Sequence, residues 1–159
     1  KPGGTERLAV LRDEMAKSME SGCGIYRLGT TMQATCDKID ELRQRYKNLK
    51  LEDKSKVYNT EWLLGIELGY LLEVAQAVVC SAISRKESRG SHQRLDGFGE
   101  RDDVNYLKHS LAYYAGDGPP RIEYGDVKIT KSKPATRAYG AAGVKAEAEK
   151  HKHEGAGNG

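Results

Sequence analysis

The sequence predicts a mainly α-helical fold: an up-down three-helix bundle, then a polar loop, a small antiparallel β-hairpin and a flexible C-terminal tail. Three observations carry that reading. Two stretches set apolar residues at helical spacing, Leu8, Leu11, Met15 and Met19 in the first and Met32, Cys36, Ile39, Leu42, Tyr46 and Leu49 in the second. A third run, Trp62 to Ile83, is almost wholly apolar, with Glu67 and Glu73 its only charges. Beyond it, Leu107, His109, Leu111 and Tyr113 alternate with Tyr106, Lys108, Ser110, Ala112 and Tyr114, the period of a half-buried strand.

In chain order, Thr5 is the expected cap of the first helix and Ser21-Gly22-Cys23-Gly24 its stop. Thr30-Thr31-Met32-Gln33 reads as a capping box that opens the second, with Thr30 at the N-cap and Gln33 at N3. One face of that helix packs and the other is wet. Asp53 to Ser55 is the polar turn that follows. The third helix carries apolar residues on every side, which neighbours or lipid must cover. A span needs about 20 apolar residues. Two carboxylates, Gln76 and two glycines argue for a buried core and against direct membrane insertion, since a charge near mid-bilayer costs roughly 2.5 kcal/mol or more. Two amphipathic helices beside one apolar helix make a spectrin-repeat-like bundle over residues 1–83.

Residues 84–130 are expected to form a charged loop plus a hairpin packed on that bundle. Gly116-Asp117-Gly118-Pro119-Pro120 supplies the hairpin turn. The apolar phase flips at Gly125-Asp126, between Ile122/Tyr124 and Val127/Ile129, as a bulge would make it do. Residues 131–159 are a polar tail of Lys, Ala, Glu and Gly.

The 159 residues, 38% hydrophobic and 31% charged, suit one soluble domain rather than a disordered acidic chain. Residues 1–130 hold 20 basic and 20 acidic side chains out of 26 and 23, so the excess of three lies wholly in the last 29 positions. A neutral body argues against nucleic acid as partner, because phosphate binding needs a basic surface. Cys23, Cys36 and Cys80 form no CxxC pair and no four-ligand metal site, and they suit a reducing compartment. The chain opens on Lys-Pro-Gly-Gly, with neither Met nor a signal-like segment, and reads as a piece of something longer.

Catalytic motifs are not found. Gly22-Cys23-Gly24-Ile25-Tyr26-Arg27 begins like a dinucleotide fingerprint, yet it ends on Arg27 and follows a helix. Gly140-Ala141-Ala142-Gly143-Val144-Lys145 lacks the spacing of a phosphate loop. Ser88 and Ser91 lie near His92 without a nucleophile elbow. Cys23 suits a small filler at a helix end, and His151-Lys152-His153 is no metal site. No catalytic, cofactor-binding or metal-ligating residue is therefore assigned.

One dense constellation remains: Arg85, Lys86, Glu87, Arg89, His92, Arg94 and Asp96 within twelve positions. By charge alone it suits a solvated loop after a helix, a docking surface built on Arg–carboxylate clamps, or, for want of interleaved aromatics, least of all an RNA contact. The stretch Arg85-Lys86-Glu87-Ser88-Arg89-Gly90-Ser91-His92-Gln93-Arg94-Leu95-Asp96, followed by Glu100 to Leu111, resembles the C-terminal domain of the fumarate reductase and succinate dehydrogenase flavoprotein subunit family. Ile122-Glu123-Tyr124, Asp126 to Thr130 and, upstream, Glu67-Leu68-Gly69 extend the likeness over roughly residues 5–140. Ser91 stands where a common family form has Ala.

The wording leans to the bacterial fumarate reductase branch, while succinate dehydrogenase and L-aspartate oxidase share parts of it; an unrelated helical interaction domain is the other alternative. The resemblance implies an oxidoreductase of anaerobic respiration whose full-length subunit carries FAD and interconverts fumarate and succinate, fed from quinol. It implies two partners: the FAD-binding domain of the same subunit and an iron–sulfur subunit. It also implies a cytoplasmic location, peripheral on the inner face of the cell membrane through the anchored complex. None of the family's flavin-linking or substrate-binding residues maps onto a position here. The piece itself is expected to be inactive and to carry no cofactor. Arg85, Glu87, Arg89, His92, Arg94 and Asp96 are expected to form its interface, and Arg89→Ala to weaken docking while barely changing the melting of the bundle.

Overall fold

Three helices carry the fold: α1 (Leu8–Cys23), α2 (Gly29–Tyr46) and α3 (Thr60–Ser84). The structure is a computed structural model and describes residues 3–131; those up to Val127 belong to one compact unit. Between and after the helices lie short strands, β1 (Glu6–Arg7), β2 (Tyr26–Arg27), β3 (Leu49–Lys50) and β4 (Gln93–Arg94). A one-turn helix, α4 (Asp103–Tyr106), leads into the hairpin of β5 (Lys108–Tyr113) and β6 (Arg121–Asp126).

Two parallel pairings fix the helix directions. β1 runs straight into α1 and pairs with β3, which follows α2, so α1 begins where α2 ends. β2, between α1 and α2, pairs with β4 beyond α3, so α3 ends where α1 ends. The bundle is therefore up-down-up. Its core is Leu11 of α1, Ile39 and Leu42 of α2, and Leu68, Leu72 and Ala75 of α3, ringed by Leu8, Met15, Met19, Tyr46 and Leu49. A second layer toward the far end holds Cys23, Met32, Cys36, Val79 and Ala82. Each large side chain removed from water there contributes about 1.5–3 kcal/mol.

The helix starts differ from the sequence expectation. Arg7, not Thr5, precedes α1 and gives no side-chain cap; the Thr5 and Glu6 amides instead donate to the Asn48 carbonyl at 3.1 and 3.2 Å. The Thr30/Gln33 capping box does not form. α2 starts at Gly29, whose amide donates to the Asp96 carboxylate at 2.7 Å, a negative group at the positive helix end. Leu49, counted on the α2 stripe, lies in β3. The first helix does stop as expected, at Cys23 with Gly24 beyond it.

α3 is the informative departure. Asn59 caps it, accepting from the Trp62 amide at 2.7 Å. Gly65, Leu68, Leu72, Ala75, Gln76, Val79 and Ala82 are buried, but the opposite side, with Leu63, Tyr70, Val74 and Val78, is uncovered. It is long and apolar enough to cross a membrane by length and composition alone; its inner face is occupied by α1 and α2.

The hairpin register is unbroken from Lys108↔Asp126 to Tyr113↔Arg121, with Gly125 opposite His109. The expected bulge is absent: the apolar phase changes because pairing ends at Asp126, and Val127 and Ile129 lie past the last rung. Arg43 of α2 donates to the Gly116 and Asp117 carbonyls at 3.0 and 3.3 Å and so ties the turn to the bundle. Gly140 to Lys145, His151 and His153, and the tail after Lys131, lie outside the described residues.

Candidate functional site

The charged stretch after α3 is folded back on itself. Arg89 and His92 exchange backbone bonds (N–O 2.9 and 3.0 Å) around Gly90, whose φ of +60° only glycine adopts without strain. The chain then runs as β4 beside β2, the Gln93 and Leu95 amides donating to Ile25 and Arg27 carbonyls. That pairing brings Asp96 to the start of α2 and Arg94 to the end of α3.

Glu87 has no exposed side-chain surface. Its carboxylate accepts from Arg89 Nε and Nη2 at 2.9 and 3.0 Å, from the Asp102 amide at 2.8 Å and from Arg85 Nη1. Burial pushes its pKa up, but Arg89, the Asp102 amide and Arg85 together outweigh burial and hold it below the usual range. Arg85 also donates to the carbonyls of Tyr106 (2.8 Å) and Lys108 (2.7 Å) and lies against the rings of Tyr106 and Tyr124, which fastens α4 and the hairpin to the end of α3. Arg89 reaches on to Asp103 Oδ1 at 2.7 Å.

Arg94, its side chain 4% exposed, forks onto Asp96 and turns Nη1 toward the Arg85 carbonyl at 3.1 Å, with those of Ala82 and Ile83 just beyond. His92 accepts at Nδ1 from Arg27 Nη1 (2.8 Å). A guanidinium only donates, so Nδ1 carries no proton and Nε2–H donates to the Arg85 carbonyl at 3.0 Å. Burial pushes the His92 pKa down, and Arg27, Arg94 and Arg85 push it further. Ser88 bonds the Phe98 carbonyl and the Arg94 amide rather than the imidazole, so Ser88 and His92 do not pair. Among the described residues no group of three metal-ligating side chains occurs.

Of the six residues, Glu87, His92 and Arg94 thus point inward, and Arg85, Arg89 and Asp96 are partly exposed. Arg89 neutralises a buried carboxylate, so removing it disturbs more than the surface. Arg27 and Asp103, absent from the expected interface, complete the network, and only the β2–β4 pairing points to Arg27. The Gly22–Gly24 motif does not fit the FAD that the resemblance implies for the complete subunit. It sits at the carbonyl end of α1, and a side chain on Gly22 would strike Thr35 Oγ1 on α2, so the glycine serves helix contact and not phosphate contact.

Beside this network runs the uncovered face of α3. Leu63 (53% exposed), Ile66, Tyr70 (66%), Val74 (59%) and Val78 recur every three or four residues and form one stripe. At its C-terminal end a shallow concavity of about 420 Å³ opens between Val74, Val78 and Ala112, rimmed by Arg27, Arg85 and His92. At the other end Trp62 and Leu63 line a wider one of about 680 Å³ with Leu51 and Tyr58. A continuous apolar stripe edged by charge has the make-up that contact surfaces share, an apolar centre with a polar rim.

Residues 12–139 match the family model described as fumarate reductase flavoprotein C-term. The fumarate reductase flavoprotein subunit of Haemophilus influenzae is 58% identical over 148 residues, which are 93% of this chain and 24% of that protein. The succinate dehydrogenase flavoprotein subunit of Coxiella burnetii is 39% identical over 73% of this chain and 20% of that protein. A solved chain of a variant Escherichia coli quinol fumarate reductase superposes with a TM-score of 0.81 at 55% identity, covering 86% of this chain and 23% of its own. The chain spans about a quarter of the length of the relatives it matches. By matched residues, identity and fold alike, it belongs to the fumarate reductase flavoprotein C-terminal family.

Proposed function

We propose that this chain serves as the docking domain at the C-terminal end of the FAD-containing subunit of a quinol-oxidising fumarate reductase. In that role it packs on the FAD-binding domain of the same subunit and holds no part of the active site. The single observation that carries the reading is the bare apolar stripe of α3 on a chain matching only a quarter of its relatives: a stripe from Leu63 to Val78 is what a missing neighbour would cover. The higher identity to a fumarate reductase than to a succinate dehydrogenase supports fumarate reduction as the direction of the parent enzyme.

Arg85, Glu87, Arg89, His92, Arg94 and Asp96 act beside that stripe, as a charged rim. Arg85, Arg89 and Asp96 meet the partner through their exposed edges, and Glu87, His92 and Arg94 hold the rim in shape. The iron–sulfur subunit is the second partner, and the assembly sits on the cytoplasmic face of the membrane. Residues 84–130 act with the bundle as one docking unit.

Co-purification tests this. A fumarate reductase flavoprotein subunit cut back to its first three-quarters should retain the chain on a column. Val74→Asp should abolish retention while leaving the chain's own melting within about 0.5 kcal/mol, as for an exposed position. Retention unaffected by Val74→Asp and Val78→Asp together would remove α3 from the interface.

A further inference from the structure

Cys36 of α2 and Cys80 of α3 face each other across the second core layer with their sulfurs 3.4 Å apart, although 44 residues separate them in sequence. Both thiols are free. Cys36 is buried and Cys80 is partly open at the flank of α3, away from the bare stripe. A disulfide needs its sulfurs at about 2.05 Å, so a closure of about 1.4 Å joins them. We propose that Cys36 and Cys80 are an oxidative modification site, at which a hydroperoxide links α2 to α3 by a disulfide.

Cys80 attacks first. It is the more open of the two sulfurs and the one a hydroperoxide can reach; burial raises both thiols, Cys36 to about 12, and the Cys36 S–H hydrogen bond partly offsets that rise at Cys80. The Cys80 sulfur attacks the outer oxygen of the hydroperoxide; the O–O bond breaks, the alcohol (water, for hydrogen peroxide) leaves, and Cys80 becomes a sulfenic acid. The Cys36 sulfur then attacks Cys80, the S–O bond breaks, and the oxygen departs as water with the Cys36 proton. Two thiols and one hydroperoxide thus give one disulfide, one alcohol and one water. The hydroperoxide is reduced by two electrons and the sulfur pair is oxidised by two. Cys23 shares the core layer but packs at the end of α1 and does not take part.

The test treats the native 159-residue chain with hydrogen peroxide, alkylates the remaining thiols and maps the digest without reductant. Expected are a loss of two hydrogens in the intact mass, a single cross-link between the Cys36 and Cys80 peptides, reversal by dithiothreitol and a melting temperature raised by several degrees, as a loop closed over this many residues gives. Cys23→Ser should keep the cross-link, and Cys36→Ser or Cys80→Ser should lose it. Oxygen added to a single sulfur without a cross-link, or a link through Cys23, would overturn the proposal. So would both thiols staying open to alkylation after denaturation; this mapping on the unsubstituted chain stands even if a variant fails to fold.

Discussion

Arg94 and Asp96 form a bidentate ion pair, Nε–Oδ1 2.7 Å and Nη2–Oδ2 2.6 Å, in which each partner also closes a different helix. Asp96 takes the first amide of α2, and Arg94 takes the carbonyl that follows α3. The pair thereby sets negative charge at one helix's N-terminus and positive charge at another's C-terminus. Asp96→Ala is expected to cost about 2 kcal/mol in urea unfolding, the worth of hydrogen bonds to a charged group. Arg94→Lys should cost nearly as much, because an ammonium cannot fork onto Asp96 and also reach the Arg85 carbonyl.

Glu87 is the buried carboxylate of the loop, and its removal takes the shared anion from two guanidinium groups, leaving Arg85 with its carbonyl partners and Arg89 with Asp103. Glu87→Ala should lower stability by about 3 kcal/mol or more, the cost of breaking a buried pair. Lys86→Ala, one residue earlier and exposed, should change the unfolding midpoint by no more than about 0.5 kcal/mol. Equal effects at the two positions would contradict the burial of Glu87.

His92 makes stability depend on pH with a definite sign. Its folded pKa lies below the ordinary 6.5, so between those values the unfolded chain binds the extra proton and stability rises with pH. The stabilisation is fully present above pH 6.5 and is lost as pH falls toward the folded pKa. Melting at pH 5.5 should therefore lie below that at 7.5, and His92→Gln should flatten the slope. A second loss, below pH 4.5, comes from carboxylates held down by arginine and lysine, Glu14 by Arg45 and Lys38, and Asp103 by Arg101 and Arg89, each at about 2.

Gly22→Ala probes the closest approach of α1 and α2. The added methyl group meets Thr35 Oγ1 and lies 3.0 Å from the Thr31 carbonyl, so the helices must part. A loss of about 1–3 kcal/mol is expected in thermal unfolding, as for overpacking elsewhere. Gly90 tolerates no side chain for a different reason, its positive φ, and there the loop rather than the bundle should loosen.

What the sequence made legible is what local periodicity encodes. Met32, Cys36, Ile39 and Leu42 recur at helical spacing and are the buried face of α2. The alternation from Lys108 to Tyr113 is a strand. Thr5 and Thr30 are not caps because partners far along the chain set their surroundings: the Asn48 carbonyl takes the Thr5 and Glu6 amides ahead of α1, and the Asp96 carboxylate takes the first amide of α2. An apolar composition on every side of α3 could not tell which face α1 and α2 would cover. The density of charge from Arg85 to Asp96 was visible, but its inward pairing depends on β2 lying beside β4, a contact between residues 65 and more apart. The meeting of Cys36 with Cys80 has no trace in spacing.

The proposed function divides the labour, with contact surface in this chain and flavin chemistry in the remainder of the subunit. Adding the chain stepwise to a flavoprotein subunit that lacks its matching last quarter, while following fumarate reduction by a reduced viologen dye and the visible flavin spectrum, measures that division directly. Turnover should rise to a plateau at one chain per subunit, with every flavin absorbance belonging to the truncated partner. A yellow preparation of the 159 residues that reduces fumarate unaided would contradict it.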